Sequence, residues 1–209
     1  MNYEFDHFIF LKNSDGTITV SDYDNSSSNV SIPETILDKT VSGIDSFAFS
    51  KNTTITSVTM PNTVTKVGDS AFADATNLLS AKLSENCTDV GICLFQGCTS
   101  LKSVDLNSKI TLINAQMFYK CSSIESIVIP DTVNKIGNYA FSECSSLKSV
   151  YIPSSVTEIS RSAFRKTASV TIKGSYGSYA EEYAKANNIP FNGISAYDVG
   201  DVNMDGGIN

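Results

Sequence analysis

The residues with the clearest chemical spacing are the last ten, GDVNMDGGIN. Asp201, Asn203 and Asp205 stand at alternate positions and carry side-chain oxygens. They match positions 1, 3 and 5 of the twelve-residue calcium loop. Gly206 then allows the sharp turn, Gly207 offers its carbonyl, Ile208 is the apolar position and Asn209 falls at position 9. A hard cation of this kind takes roughly six to eight oxygens, usually including a carboxylate at the twelfth position. The chain ends at Asn209, so these residues by themselves are not expected to hold calcium, and no other cofactor is expected in the chain.

Other reactive side chains are few. His7 is the single histidine, so any Ser–His–Asp or Cys–His unit would have to use it. It lies beside Asp6 in FDHFIFL, away from any nucleophile motif, and reads as a half-exposed strand residue. Cys98, Cys121 and Cys144 recur every 23 residues, which predicts a buried column of reduced thiols rather than a tetrahedral zinc cluster. Cys87 shares a column with Val64 and Val133, and Cys93 precedes Leu94 on a turn. With five cysteines, at least one is unpaired within the chain. There are no paired carboxylates at a defined spacing and no phosphate loop, so no catalytic residue is assigned and no enzymatic activity is expected.

The bulk properties narrow the partners. The 209 residues carry a formal charge of −7, and 41% of them are hydrophobic. Without clustered Lys and Arg, nucleic acid is a poor partner. No apolar run approaches the roughly 18–20 residues that a membrane span needs. The start, MNYEFDHFIFLKN, lacks the basic opening and unbroken apolar stretch of a signal peptide.

What must position any functional surface is a repeat. Phe49, Phe72, Phe95, Phe118, Phe141 and Phe164 are spaced by 23 residues throughout. Further apolar columns keep the same register, among them Val58, Ala81, Val104, Ile127 and Val150, then Met60, Leu83, Leu106, Ile129 and Ile152. A unit this short cannot bury an apolar face alone, but stacked coils align identical positions about 4.8 Å apart into a continuous core. Positions nine and eleven after each Phe share one inward strand face. The V-x-x-I-G pattern ending at Gly68, Gly91 and Gly137 suggests a second short extended segment. GDSAF and GNYAF fit a helical or 3-10 turn that delivers the Phe inward.

On the outward face of the first strand, Ser57, Ser80, Ser103, Ser126 and Ser149 repeat unchanged and read as structural. The flanking columns vary from coil to coil. Such variation on a fixed lattice can be tailored to a partner, which nominates Lys82, Lys102, Asp105, Glu125, Val128, Lys148 and Tyr151 for protein binding.

The repeats FSECSSLKSVYIPSSVTEIS and FADATNLLSAKLSENCTDVG resemble the BspA-like leucine-rich repeat of bacterial surface and secreted proteins. The segment from Gly16 through Phe49 resembles that family's first unit, with a few extra residues between Pro33 and Val41, and VTIKGSYGSYAEEYAKANNIPF its last. The resemblance implies a leucine-rich-repeat solenoid, strand-rich within the α/β class. It would be a right-handed coil with one long parallel sheet, used for protein binding or adhesion. GDVNMDGGIN resembles the opening of a type I dockerin. That resemblance implies calcium at Asp201, Asn203, Asp205, Gly207 and Asn209 once the module is complete. It also implies a cohesin partner and an extracellular place on a cellulosome scaffold.

An open stack exposes edges at both ends, so caps are expected. Residues 1–29 read as a β cap in which FDHFIFL and TITVSDY form a hairpin across KNSDG. Repeats occupy 30–173, and 174–192 hold a helix cap opened by a Ser178–Glu181 capping box. Residues 193–209 read as linker and loop.

Overall fold

A computed structural model of the chain describes residues 2–5, 7–107, 109–167 and 169–194. Strands β1 (Asn2–Phe5), β2 (Phe8–Lys12) and β3 (Ile18–Tyr23) pair antiparallel in that order and form the N-terminal cap. FDHFIFL is therefore not one strand. It breaks at His7, whose φ of 73 lets the chain reverse between β1 and β2. Strand β4 (Asn29–Ser31) opens the solenoid, and β5 (Thr35–Ile36) pairs antiparallel with β6 (Lys39–Ile44). The extra residues after Pro33 thus form a small hairpin, turned at Leu37 and Asp38, both with positive φ.

Each later coil contributes two short strands. On the first face these are β7 (Ser57–Thr59), β9 (Ser80–Lys82), β11 (Ser103–Asp105), β13 (Ser126–Val128) and β15 (Ser149–Tyr151). On the second they are β8 (Lys66–Val67), β10 (Asp89–Val90), β12 (Leu112–Ile113), β14 (Lys135–Ile136) and β16 (Glu158–Ile159). Pairing within each face is parallel and keeps the 23-residue register, as in Ser57↔Ser80 and Ile136↔Ile159. The single long sheet implied by the resemblance is replaced by parallel strands on two faces.

The phenylalanines form the spine between them. From Phe49 to Phe164 successive rings stack with centroids 5.0, 5.6, 5.8, 5.3 and 5.3 Å apart. Tyr23 meets Phe49 in a tilted contact at one end, with centroids 5.6 Å apart, and Tyr183 lies 6.1 Å from Phe164 at the other. The turns that deliver these rings use the i→i+3 bonds of a 3-10 turn, such as Ala75 N to Phe72 O and Cys98 N to Phe95 O. They do not continue as helix, because residues two before and two after the Phe adopt positive φ, as at Ser70, Asp74, Gln116 and Lys120. The Phe amides then point along the solenoid axis. Phe72, Phe95 and Phe118 donate to Leu94, Met117 and Ala140 of the next coil at 3.0, 2.9 and 2.9 Å.

Both sheet faces are interrupted near the middle. Among the described residues β10 does not pair with β12, and β11 does not pair with β13. A physical reason is visible on the second face. At Gly91 the amide donates to Val67 O at 2.8 Å, and a Cβ there would lie 2.4 Å from the Asp69 nitrogen. One coil later the residue is Asn114, and its side-chain amide, in place of the backbone, donates to Val90 O. Ser160 in the same column keeps its backbone bond to Ile136 O, so a small side chain is accommodated where a carboxamide displaces the ladder. On the first face, Asn107 replaces the proline found at Pro61, Pro130 and Pro153. Its carboxamide donates to Ser84 O and Cys87 O at 2.6 and 3.0 Å, which holds its strand end to the preceding coil. The turn-edge bonds of Phe95, Cys93 and Gly97 to the following coil remain across this gap.

The C-terminal cap is a strand–helix–strand unit. Strand β17 (Thr171–Ser175) pairs parallel with β15, α1 (Tyr179–Ala186) crosses over, and β18 (Phe191–Ile194) pairs parallel with β17. The expected capping box is not made. Ser178 is the N-cap residue but its hydroxyl has no partner, and Glu181 reaches one residue further back to the Gly177 amide at 2.6 Å.

The cysteine column is buried and unpaired, with an unexpected polar role. The thiols of Cys98, Cys121 and Cys144 donate to the carbonyls of Phe72, Phe95 and Phe118 at 3.0, 3.1 and 3.0 Å. Thr167 continues the column with its hydroxyl on Phe141 O at 2.7 Å. Each side chain thus gives a carbonyl of the preceding turn a second donor beside the backbone amide it already accepts. Burial pushes the Cys98 and Cys144 thiols up to about 12 and raises Cys121 strongly.

Two outcomes are expected. Phe118→Ala removes one rung of the fully buried ring column and should cost about 3–5 kcal/mol in urea unfolding; a loss under about 1 kcal/mol would contradict the spine. The folded state holds the thiol protons more tightly than the unfolded chain. Stability is therefore complete below the ordinary thiol pKa and should fall as pH rises from about 9 toward about 12. Replacing Cys98, Cys121 and Cys144 by Ala should flatten that alkaline decline, and an unchanged slope would remove the thiols from the account.

Candidate protein-binding face

Lys82, Asp105, Val128 and Tyr151 end β9, β11, β13 and β15 at equivalent positions, and Lys102, Glu125 and Lys148 are exposed immediately before β11, β13 and β15. The serines stand in register beneath them, Ser80 against Ser103 and Ser126 against Ser149. Lys82 and Asp105 face each other across adjacent coils at 3.9 Å. Lys148 pairs with Glu125 at 2.7 Å. That hydrogen bond, with the charges of Lys148 and Lys102, holds the Glu125 carboxyl below its ordinary range. Val128 and Tyr151 are register partners. Val128 is 48% exposed, a large apolar side chain open on an outward strand position. Tyr151 is half-buried, and that burial raises its phenol pKa.

The charges on this lattice are paired between coils, which keeps them ordered at little energetic gain. Lys66–Asp89 and Lys135–Glu158 on the second face repeat the arrangement at 2.9 Å. Exposed pairs of this kind contribute about 0.2–1 kcal/mol each. Their consequence is geometric, since each fixes a carboxylate and an ammonium at a known place on a rigid surface.

A feature not evident from the repeats lies at the unpaired junction. Between β11 and β13 is a cleft of about 390 Å³, lined by Val104, Leu106, Ile127, Val128 and Pro130 with Asp105 at its rim. Val104 and Leu106 occupy inward columns yet are only half-buried. Their periodicity is unbroken, so pattern reading places them in the closed core. The available signals were Asn107, in a column that is proline at Pro61, Pro130 and Pro153, and Asn114, between Gly91 and Gly137 in its column.

The Nδ1 of His7 is 2.8 Å from an Asp24 oxygen on an exposed turn, and that contact lowers the Asp24 pKa. Among the described residues no cluster of His, Cys, Asp and Glu could hold a metal ion, and no helix is long and apolar enough to cross a membrane. Asp201, Asn203, Asp205, Gly207 and Asn209 lie outside the described residues.

The chain matches the family described as the BspA type leucine rich repeat region, over residues 21–132 and 70–183. No curated protein is detectably similar to it. Among solved structures it is similar to a leucine rich cell surface protein from Faecalibacterium prausnitzii, with a TM-score of 0.68 and 25% identity. That match covers 83% of this chain and 54% of the other, so the chain spans about half of the Faecalibacterium protein. The T. pallidum leucine rich repeat protein matches with a TM-score of 0.71 at 19% identity, covering 94% of this chain and all (100%) of the other. The pneumococcal vaccine antigen PcpA shares the fold at a TM-score of 0.55 and 16% identity, over 83% of this chain and 64% of that one. With the repeat register, the phenylalanine spine and the family match in agreement, the chain belongs to the BspA type leucine-rich-repeat family.

Proposed function

We propose that this chain is a non-catalytic recognition module that works outside the cell and binds a protein partner through the outward face of β9, β11, β13 and β15. The observation that carries the reading is the contrast on that face. An invariant serine column lies beside side chains that change from coil to coil, around an open cleft with Val128 at its lip. Lys82, Lys102, Asp105, Glu125 and Lys148 would supply charge complementarity, and Val128 and Tyr151 the apolar anchor. The backbone beneath is held by parallel pairing on either side of the cleft, so binding needs little ordering of the module itself.

Two settings follow from different observations. A surface adhesin is favoured by the similarity to the Faecalibacterium cell surface protein. Attachment to a cellulosome scaffold is favoured by the sequence GDVNMDGGIN alone. In that setting the completed loop would take calcium through Asp201, Asn203, Asp205, Gly207 and Asn209 and dock a cohesin.

Affinity capture with the repeat region against secreted proteins and host matrix proteins separates the settings by which pool yields a partner. Changing Lys82 and Tyr151 to Ala should weaken that capture about tenfold or more without lowering the melting temperature. Capture unaffected by both changes would remove this face from the proposal. A chain extended through a second loop should bind cohesin only with calcium, and failure with every cohesin of the source organism would end the dockerin reading.

A further inference from the structure

The chain has only two arginines, Arg161 and Arg165, and both lie on the turn edge of the last coil. Stacking does not require them there. The column of Arg165 holds Ser50, Ala73 and Gln96 in earlier coils, and that of Arg161 holds Ser46 and Ala115. Both arginines are exposed, and neither has a carboxylate partner among the described residues. By contrast, Lys66, Lys82, Lys135, Lys148 and Lys166 each face a carboxylate one coil away.

The two guanidiniums line a cleft of about 360 Å³ between this turn and the segment after α1. Lys166 shares the rim, and Phe164, Val170 and Ile189 contribute apolar surface. The carbonyls that end α1 are already taken by the amides of Asn187, Asn188 and Ile189, so they do not compete for donors in the cleft. A second cleft of about 300 Å³ continues past Arg165 and Lys166 toward Tyr119 and Tyr139. Lys120, 5.1 Å from the Tyr119 ring centroid, and Lys166, 2.9 Å from Glu143, bracket the carboxylate found there.

We propose that this cleft docks an acidic segment of a partner protein, with carboxylates on Arg161 and Arg165 and one apolar side chain between them. The guanidinium fork matches a carboxylate with two parallel N–H donors, and the apolar lining would anchor the neighbouring side chain. The net charge of −7 disfavours a long polyanion such as nucleic acid, whereas a short acidic peptide need meet only the local cationic rim. The proposal rests on the protein-binding reading but uses the turn edge, not the sheet face.

The test is fluorescence anisotropy of the full chain with three labelled peptides, Glu-Glu-Phe-Glu-Glu, its Gln counterpart and its Lys counterpart. The acidic peptide should bind and the other two should not. Its binding should weaken as salt rises from about 50 to about 300 mM. R161E/R165E should reduce it about tenfold or more with an unchanged melting temperature. R161Q/R165Q gives the same reading if the charge reversal disturbs folding. K82A/Y151A should leave peptide binding intact, so failure of the sheet-face reading is distinguishable from failure here. Equal binding of the acidic and Gln peptides, no binding at low salt, retention in both arginine variants, or displacement by a sulfated oligosaccharide at lower concentration than by unlabelled acidic peptide would each overturn the proposal.

Discussion

The structure depends on one registered contact, the stacking of a phenylalanine in each coil on the phenylalanine of the next. The rings repeat every 23 residues, and their amides donate to the following coil beside them. This couples a side-chain column to a backbone ladder, so the two fix the same register. A slip of one residue would replace the rings by the smaller or unstackable Ala48, Ala71, Leu94 and Met117, or by Ser50, Gln96 and Arg165, while breaking the amide bonds. The left-handed residues on either side of Phe49, Phe72, Phe95, Phe118 and Phe141 are the local cost of that arrangement. They turn the chain so that the ring points inward and the amide points along the axis. The thiol column adds a second bond to carbonyls that already accept the backbone amide of the 3-10 turn.

With register held on the turn edge, the two sheet faces can vary without loss of the fold. The interruption at β10/β12 and β11/β13 shows this most directly. Asn114 and Asn107 divert hydrogen bonds that backbone groups make elsewhere, and the coils stay stacked because the Phe95 and Phe118 turns remain bonded. The gap leaves Val104 and Leu106 half-open beside an exposed Val128, on the same face as the variable charged columns. The incomplete lattice opens surface here without loss of the repeat, which is where the proposed binding face is drawn.

The repeat unit, both strand columns, the core positions and the helix cap were legible because each is a period or a local pattern. The Phe and Cys columns need only counting. Tyr23 was not legible as a rung, since it lies 26 residues before Phe49 and so falls outside the period. The reversal at His7 was missed because the alternation of FDHFIFL reads as one strand, and a positive φ at a histidine leaves no mark in hydropathy. Ser178 and Glu181 have the right spacing for a capping box, but the carboxylate finds the Gly177 amide instead. Spacing permits such a bond without deciding between neighbouring donors. The cleft was hidden for a related reason, because Leu106 keeps its column while pairing is lost around it. Strand alternation accounts for Lys82, Asp105, Val128 and Tyr151 at equivalent outward strand positions, whereas Lys102, Glu125 and Lys148 precede the strands and alternation does not place them.

Site-resolved amide hydrogen exchange tests the central claim that the turn edge carries the solenoid across its gap. The amides of Phe72, Phe95, Phe118 and Phe141 should exchange only by global unfolding, with one common free energy. Amides of β11 and β13 that face the gap should exchange faster than those of β13 facing β15, through a local opening that leaves the Phe amides protected. Protection of the β11–β13 junction equal to that of β13–β15, or early loss of protection at Phe95 and Phe118, would contradict the account.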